Sequence, residues 1–518
     1  MRLLFAGIVI LACWIHDAHA GAYYVDFANG DDSQNGLTPT QCFKHCPGDS
    51  NAVSAALRTR PQAGDTLFFR GGVVYHGTIS IPWSGKKNKP IMYDGNSNAQ
   101  WGWDKAIIDG DNKRYNGFFS DAKHLSDIVI RNFEIRNCPA NVKASWAGGK
   151  GIFLNNCTVC TIINCAVHDI GYSKNDGALV PSGTGIKLVR ADFCTVSSCD
   201  ITCCGESGIA IDGSNNCLIV NNNIHDFITW GIDVSASSRL SFKNVIAQNT
   251  VHDLYQFDHG FYKGQGDPPH TDYVFIRKAD GFRPSHNIVE KNLFYNNRDF
   301  NDFGGTAMTF LSYADSTVIR NNVYSNAHSY SACFFGWTSE GTQFYNNTVY
   351  SPKTSAVRLE TKGNTDIRNN IFIGASSIIT FEDSLDENNL TVNNNMYCMP
   401  QDDKCFARAT PYQGWNFRAW QARGYDANSR VLPLSADFKF IHENGYPTQC
   451  QFMDLRPSLK SPCIGKGIVL NGFSDDKNNI ARSSQAWDIG AFQRIDKKSA
   501  SANGVAPIKE TDDDFYGN

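Results

Sequence analysis

The 518-residue sequence is short of methionine and tryptophan, with 6 and 10 of them against 33 Phe and 20 Tyr. It is short of charge imbalance too: 47 Lys and Arg stand against 51 Asp and Glu, a net of -4. So small a net charge argues against nucleic acid or an anionic membrane surface as partner. Beyond the first twenty residues no stretch is apolar for long enough to cross a bilayer, so no membrane span is expected. Helical periodicity is missing as well, while Gly and Asn abound, which favours turns and strands.

The first twenty residues have the form of an export signal. Arg2 is the charged start, Leu3 to Ala12 the apolar core, and Ala18-His19-Ala20 the small-residue cleavage site before Gly21. The expected location is therefore extracellular or periplasmic. Ile10-Leu11-Ala12-Cys13 loosely matches a lipoprotein signal, with a lipid anchor on Cys13 as the alternative. Removing the signal leaves sixteen of seventeen cysteines, an even number in an exported chain, so disulfides are chemically permitted. No pair makes a zinc motif. Cys157-Thr-Val-Cys160 has C-x-x-C spacing, but it falls inside a repeat and reads as repeat core.

From Gly151 the repeat is plain. GIFLNNCTVCTIINCAVHDIG is followed by GIKLVRADFCTVSSCDITCCGES, by GIAIDGSNNCLIVNNNIHDFITW and by GIDVSASSRLSFKNVIAQNTVHD. Looser copies follow, down to SAVRLETKGNTDIRNNIFIG. A period of roughly 22 to 26 residues with two or three short alternating apolar runs reads as a β-solenoid. The Leu-x-x-Leu-x-Leu pattern of leucine-rich repeats is absent. Aligned on the leading Gly, Cys160, Cys194 and Cys217 share one offset, and Cys165 and Cys199 another. They form ladders that are either bridged between coils or left as free thiols. Asn321-Asn322, Asn346-Asn347 and Asn369-Asn370 read as stacked amides at a bend. His168, His225 and His252, each followed by Asp, read as a coil-corner consensus.

Four segments are expected: a signal over 1–20, a capped solenoid over 21–397, C-terminal coils and cap over 398–496, and a disordered tail over 497–518. A helical run, Asn51 to Arg58, caps the start, since a solenoid needs a cover over its exposed core. Cys398, Cys405, Cys450 and Cys463 lie in a loop-rich stretch expected to hold one or two disulfides. The repeat is interrupted once. After HGFYKG the chain leaves on a segment dense in His, Asp, Lys, Arg and aromatics, taken as an inserted loop over 264–286. Insertions of this kind gather on one face of a solenoid, often the binding face.

Three stretches together resemble exported right-handed parallel β-helix proteins of the pectate-lyase-like superfamily. They are the opening YYVD, GDDSQNGLTP and AGDTLFFRGGVVY, the Asn-rich coils, and the closing DLRP, SPCIG and DIGAF. The resemblance implies an all-β, single-stranded right-handed parallel β-helix. It leaves the activity open, because that superfamily holds lyases, hydrolases, epimerases and proteins without a known reaction.

In the pattern Gly-Ile-x-Leu, strand alternation turns the second and fourth residues after Gly outward. The outward pairs are Phe153 and Asn155, Lys187 and Val189, Ala210 and Asp212, then Asp233 and Ser235. Asp212 and Asp233 fall on adjacent coils, with Cα atoms about 8 Å apart. GFYKG partly resembles the lysine-bearing strand of calcium-dependent pectate lyases of the ninth polysaccharide-lyase family, with Tyr262 as an extra residue before Lys263. That resemblance implies Ca2+ on Asp212, Asp233 and Asp258, with Lys263 as the base for the C5 proton and His259, His270 and Asp272 as further catalytic candidates. Lys187, Trp230, Tyr262, Arg277, Lys278 and Arg283 are the candidate sugar contacts, Arg through its bidentate fork. Asp267-Pro268-Pro269-His270-Thr271-Asp272 is similar, with insertions, to the D-P-H-D motif of mannuronan C5-epimerases.

The expected protein is a monomer that cleaves an acidic, uronic-acid polysaccharide by β-elimination. Three alternatives are a glycoside hydrolase using the Asp212 and Asp233 pair, a C5-epimerase, and a non-catalytic glycan-binding surface protein.

Overall fold

The computed structural model describes residues 21–121, 124–139, 148–171, 182–254, 271–297, 305–325, 327, 331–350, 355–361, 363–374, 377–382, 385–399, 403–432, 440–442, 454–457 and 460–494. Within them the alternating runs become three sheets of 13 strands each. Sheet 1 runs from Ala22–Val25 to Leu390–Asn393, sheet 2 from Val74–His76 to Arg430–Leu432, and sheet 3 from Ile79–Ser80 to Gln413–Trp415. Neighbours within each sheet are parallel, apart from the closing pair of Phe406–Arg408 with Gln413–Trp415. The chain passes through the three sheets once per coil, which makes a parallel β-solenoid.

The period-2 pattern sets the core. In sheet 3, Ile152, Ile186, Ile209, Ile232 and Val274 stand in one register column and Leu154, Leu188, Ile211, Val234 and Ile276 in another. All ten are buried, each contributing about 1.5–3 kcal/mol of apolar burial. The outward columns agree with the sequence expectation: Phe153, Lys187, Ala210, Asp233 in one, and Asn155, Val189, Asp212, Ser235 in the other.

The next rung corrects the expected insertion. Asp272–Lys278 is a strand of sheet 3, paired with Trp230–Ala236 on one side and with Ala307–Ser312 on the other. Phe275 and Arg277 therefore follow Asp233 and Ser235 in the outward columns. The segment taken as a loop over 264–286 contains a coil, and HGFYKG lies outside the described residues.

The Asn pairs divide their work between the two residues. Asn321, Asn346 and Asn369 adopt positive φ, which Asn tolerates well. Asn322, Asn347 and Asn370 are fully buried. Each donates from Nδ2 to Oδ1 of the next Asn up the helix, at 3.1, 3.2 and 3.1 Å. At another corner His225 and His252 stack at 4.8 Å and each ring meets the Asp after it, so the His-Asp consensus is a corner device.

A short helix, Ser54–Arg58, stands within the expected capping run. At the other end the helix Phe417–Gln421 buries Trp420 against Phe406 and Tyr425, with ring centroids 4.8 and 4.1 Å apart. Residues 460–494 then return along sheet 2, where Lys291 reaches Asp475 at 2.8 Å and buried Arg482 bonds Asn321 and Gly490. The expected disulfides are not seen: Cys450 lies outside the described residues, and no bridge forms among the fifteen described cysteines. Nearly all of them sit in the core, where the solenoid spacing stacks thiols as it stacks amides.

Candidate functional site

Each sheet 3 strand is entered through a turn column occupied in successive coils by Gly149, Gly183, Glu206, Thr229 and Thr271. Backbone bonds tie the column together: Glu206 N donates to Gly183 O at 2.8 Å and Trp230 N donates to Glu206 O at 2.9 Å. Gly171 and Gly183 both hold positive φ and approach each other so closely that a Cβ on either would meet the other's Cα at 2.3 Å. A Cβ on Gly205 would meet Ser182 O at 2.1 Å, so glycines pack the backbone tightly just ahead of Glu206.

The carboxyl of Glu206 is only 4% exposed and Oε2 has no hydrogen-bond partner. The hydroxyls of Thr184, Ser207 and Thr229 beside it are unpartnered as well. Burial pushes the Glu206 carboxyl above the usual carboxylate range, with Lys187 opposing the shift and Asp233 adding to it. Lys150 stands three coils below Trp230 in one register column. Burial, then the charge of Lys187, hold its ammonium below the usual lysine range, and Nζ donates to Gly148 O at 2.6 Å. A lysine held below its usual range and a carboxyl held above its own thus stand at the entry to sheet 3, each one coil away from Lys187.

The strip continues upward as a wall. Arg277 grips Asp233 with two bonds, Nε to Oδ1 at 2.8 Å and Nη2 to Oδ2 at 3.1 Å. Its guanidinium lies 4.6 Å from the Trp230 ring centroid. Above Trp230 the Phe275 ring is tilted at 5.6 Å, and Phe275, Phe310 and Phe334 then stack at 4.9 and 4.5 Å.

The family model described as the right handed beta helix region matches residues 116–267 and 270–397. The chain belongs to this family. Among solved structures, the complex structure of XylC with xylose is 13% identical and has a TM-score of 0.54, with 92% of this chain and 99% of that one covered. The pectate lyase Pel9A is 14% identical with a TM-score of 0.50, covering 92% of this chain and 96% of that one. At such identities the likeness is one of fold. Among curated protein sequences no relative matches the chain.

On this right-handed β-helix the residues expected from sequence separate into three groups. Lys263, His259, His270, Tyr262 and Asp258 lie outside the described residues. Lys187, Asp212, Asp233 and Arg277 do share the outer strip. The remainder are placed by their partners. Asp272 is fully buried and its Oδ1 accepts from Ala307 N at 3.0 Å, so it ties two neighbouring strands of sheet 3 together. Trp230 is 5% exposed within the aromatic wall and supports Arg277, which leaves no ring face for a sugar. Lys278 and Arg283 lie over Tyr313 at 5.2 and 5.7 Å, with Arg283 also paired to Asp315.

The expected calcium donors do not fit a calcium site. Asp233 is filled by Arg277, and Asp212 accepts from Ser237 N at 2.8 Å and from Ser237 Oγ. Calcium takes 6–8 oxygen ligands, and a guanidinium held by two bonds on one of the two carboxylates repels it. The same partners remove the Asp212 and Asp233 pair as free hydrolytic carboxylates. Sequence reading missed Lys150 and Glu206. The available signal was an acid in a turn column otherwise made of Gly and Thr.

Proposed function

We propose that the chain is an exported carbohydrate-active enzyme that cleaves an acidic polysaccharide by β-elimination on the outer face of sheet 3. The observation that supports this reading most is the co-location of Lys150, Lys187 and Glu206, with opposite shifts on the first and the last. β-Elimination of a uronate needs a cation for the carboxylate, a base for the C5 proton and an acid for the departing oxygen. Lys187, which has no ion-pair partner among the described residues, meets the carboxylate. Lys150 Nζ takes the C5 proton when uncharged, the C4–O bond breaks as the C4=C5 double bond forms, and the Glu206 carboxyl, when protonated, returns a proton to the leaving oxygen; the two shifts favour these forms. Lys187 supplies positive charge where the pectate-lyase likeness implied calcium, since Arg277 is neutralised by Asp233. The fold of the pectate lyase Pel9A is compatible with this reading.

Hydrolysis is the second reading, and Glu206 favours it: a buried carboxyl with a raised pKa is the form a glycosidase general acid takes. A panel of uronic-acid polymers separates the two. Elimination yields a product absorbing near the ultraviolet edge, in buffer with chelator as in buffer without. New reducing ends without that absorbance give the hydrolase. Loss of the absorbance on chelation overturns the metal-free assignment.

A further inference from the structure

The C-x-x-C at Cys157 and Cys160 turns a corner between sheet 3 and sheet 1. Val159 between them holds a left-handed φ of 55° and is 49% exposed, so the corner folds both cysteines inward, where they are buried. The same corner reads Ala191 and Cys194 in the next coil, then Ser214 and Cys217, then Ser241 and Asn244. Only the coil at Cys157 carries two sulfurs there, and Cys194 stacks directly on Cys160.

The Sγ atoms of Cys157, Cys160 and Cys194 all lie within 4.8 Å of one another, and those of Cys157 and Cys194 are 3.7 Å apart. A disulfide requires sulfurs about 2.05 Å apart, so this spacing is not a bond. It is a thiol–thiol hydrogen-bond distance, and it is close to the spacing of two thiolates on one three-coordinate ion, where metal–sulfur bonds of about 2.3 Å place sulfurs about 4 Å apart. Cys160 N also points at Cys194 Sγ, 3.4 Å away, an N–H to sulfur contact that supports a thiolate ligand.

We propose that Cys157, Cys160 and Cys194 form a buried binding site for one Cu(I) ion. Three inward sulfurs from two coils converge; Cys217 in the next coil contacts Cys194 alone, and no fourth His, Cys, Asp or Glu among the described residues lies within 4.8 Å of all three. Structural zinc is almost always four-coordinate. Soft thiolates without oxygen or nitrogen donors select Cu(I) among the common cations. The site lies in the solenoid core, at the opposite end of the sheet 3 strands from the turn column of Glu206, and its ion is structural. Because all three thiols are buried, the ion enters while the chain folds.

The test is to refold the full chain anaerobically under reductant with one equivalent of Cu(I), desalt it, and measure copper per chain. A parallel arm uses Zn(II). The wild type and Cys333→Ser, whose sulfur is buried elsewhere, are expected to keep about one copper, and Cys157→Ser and Cys194→Ser to keep at least about tenfold less. X-ray absorption on the loaded wild type, which needs no variant to fold, is expected to show copper bound by sulfur alone. The proposal is overturned by copper retained equally in Cys194→Ser, by zinc retained in preference to copper, by no retained metal, or by nitrogen and oxygen neighbours around the copper.

Discussion

Asn292 and Glu206 are both polar, both buried and both at the edge of a strand, yet their surroundings differ completely. Asn292 accepts from Asn249 N and Nδ2 at 2.9 and 3.0 Å and donates to Ile246 O and Asn322 Oδ1 at 2.9 and 3.0 Å. Glu206 has a side chain with no hydrogen bond, whereas every other buried carboxylate among the described residues accepts at least one. A buried polar atom without a partner costs about 1–3 kcal/mol. The ladder shows that this fold can satisfy such atoms coil after coil, so the column at Glu206 holds a cost that stability does not explain. Under the proposed function, a substrate that completes the missing bonds would offset it.

The comparison can be broken at the ladder. Asn292→Ala strips partners from four buried groups and is expected to lower stability by about 3 kcal/mol, measured by denaturant unfolding, with activity per folded molecule unchanged. Loss of activity without loss of stability would reverse the roles assigned to the two regions.

A smaller effect sharpens the contrast through pH. Hydrogen bonding to Asp200, then to Asp226, raises His225 from 6.5 to about 9. A raised folded-state pKa means stability that is fully present below 6.5 and lost as pH rises through about 9. The melting-temperature advantage of wild type over His225→Gln is therefore expected to shrink across that window. Glu206 also has a raised pKa, so the wild type loses stability as pH climbs above the ordinary carboxylate range, and Glu206→Gln removes that loss. An advantage of wild type over His225→Gln that grows with pH would contradict the corner assignment.

Much of the frame was legible in the sequence because it is periodic. Gly-Ile-x-Leu fixed the outward pairs down to Asp233 and Ser235, and the Asn and His-Asp pairs marked corners. The reading failed where the period was disguised. Tyr273 replaces the leading Gly of its coil, and HGFYKG offers a false copy just upstream, so Asp272–Lys278 passed for a loop. Asp233 and Arg277 lie 44 residues apart in sequence, and no local pattern shows that one fills the other. Lys150 and Glu206 escaped because burial and a missing partner are properties of three dimensions. Neither residue falls on the alternation that gave the outward strip.

The most direct test of the account is the initial rate of double-bond formation on the best uronic-acid polymer by wild type, Lys150→Ala and Glu206→Gln, compared at equal folded fraction. Removing a positioned base or acid costs about 100-fold or more, so both variants are expected to fall at least that far while remaining folded, Glu206→Gln with an unfolding midpoint at or above that of the wild type. Rates within a few-fold of wild type in both variants would contradict the placement of the chemistry on this strip.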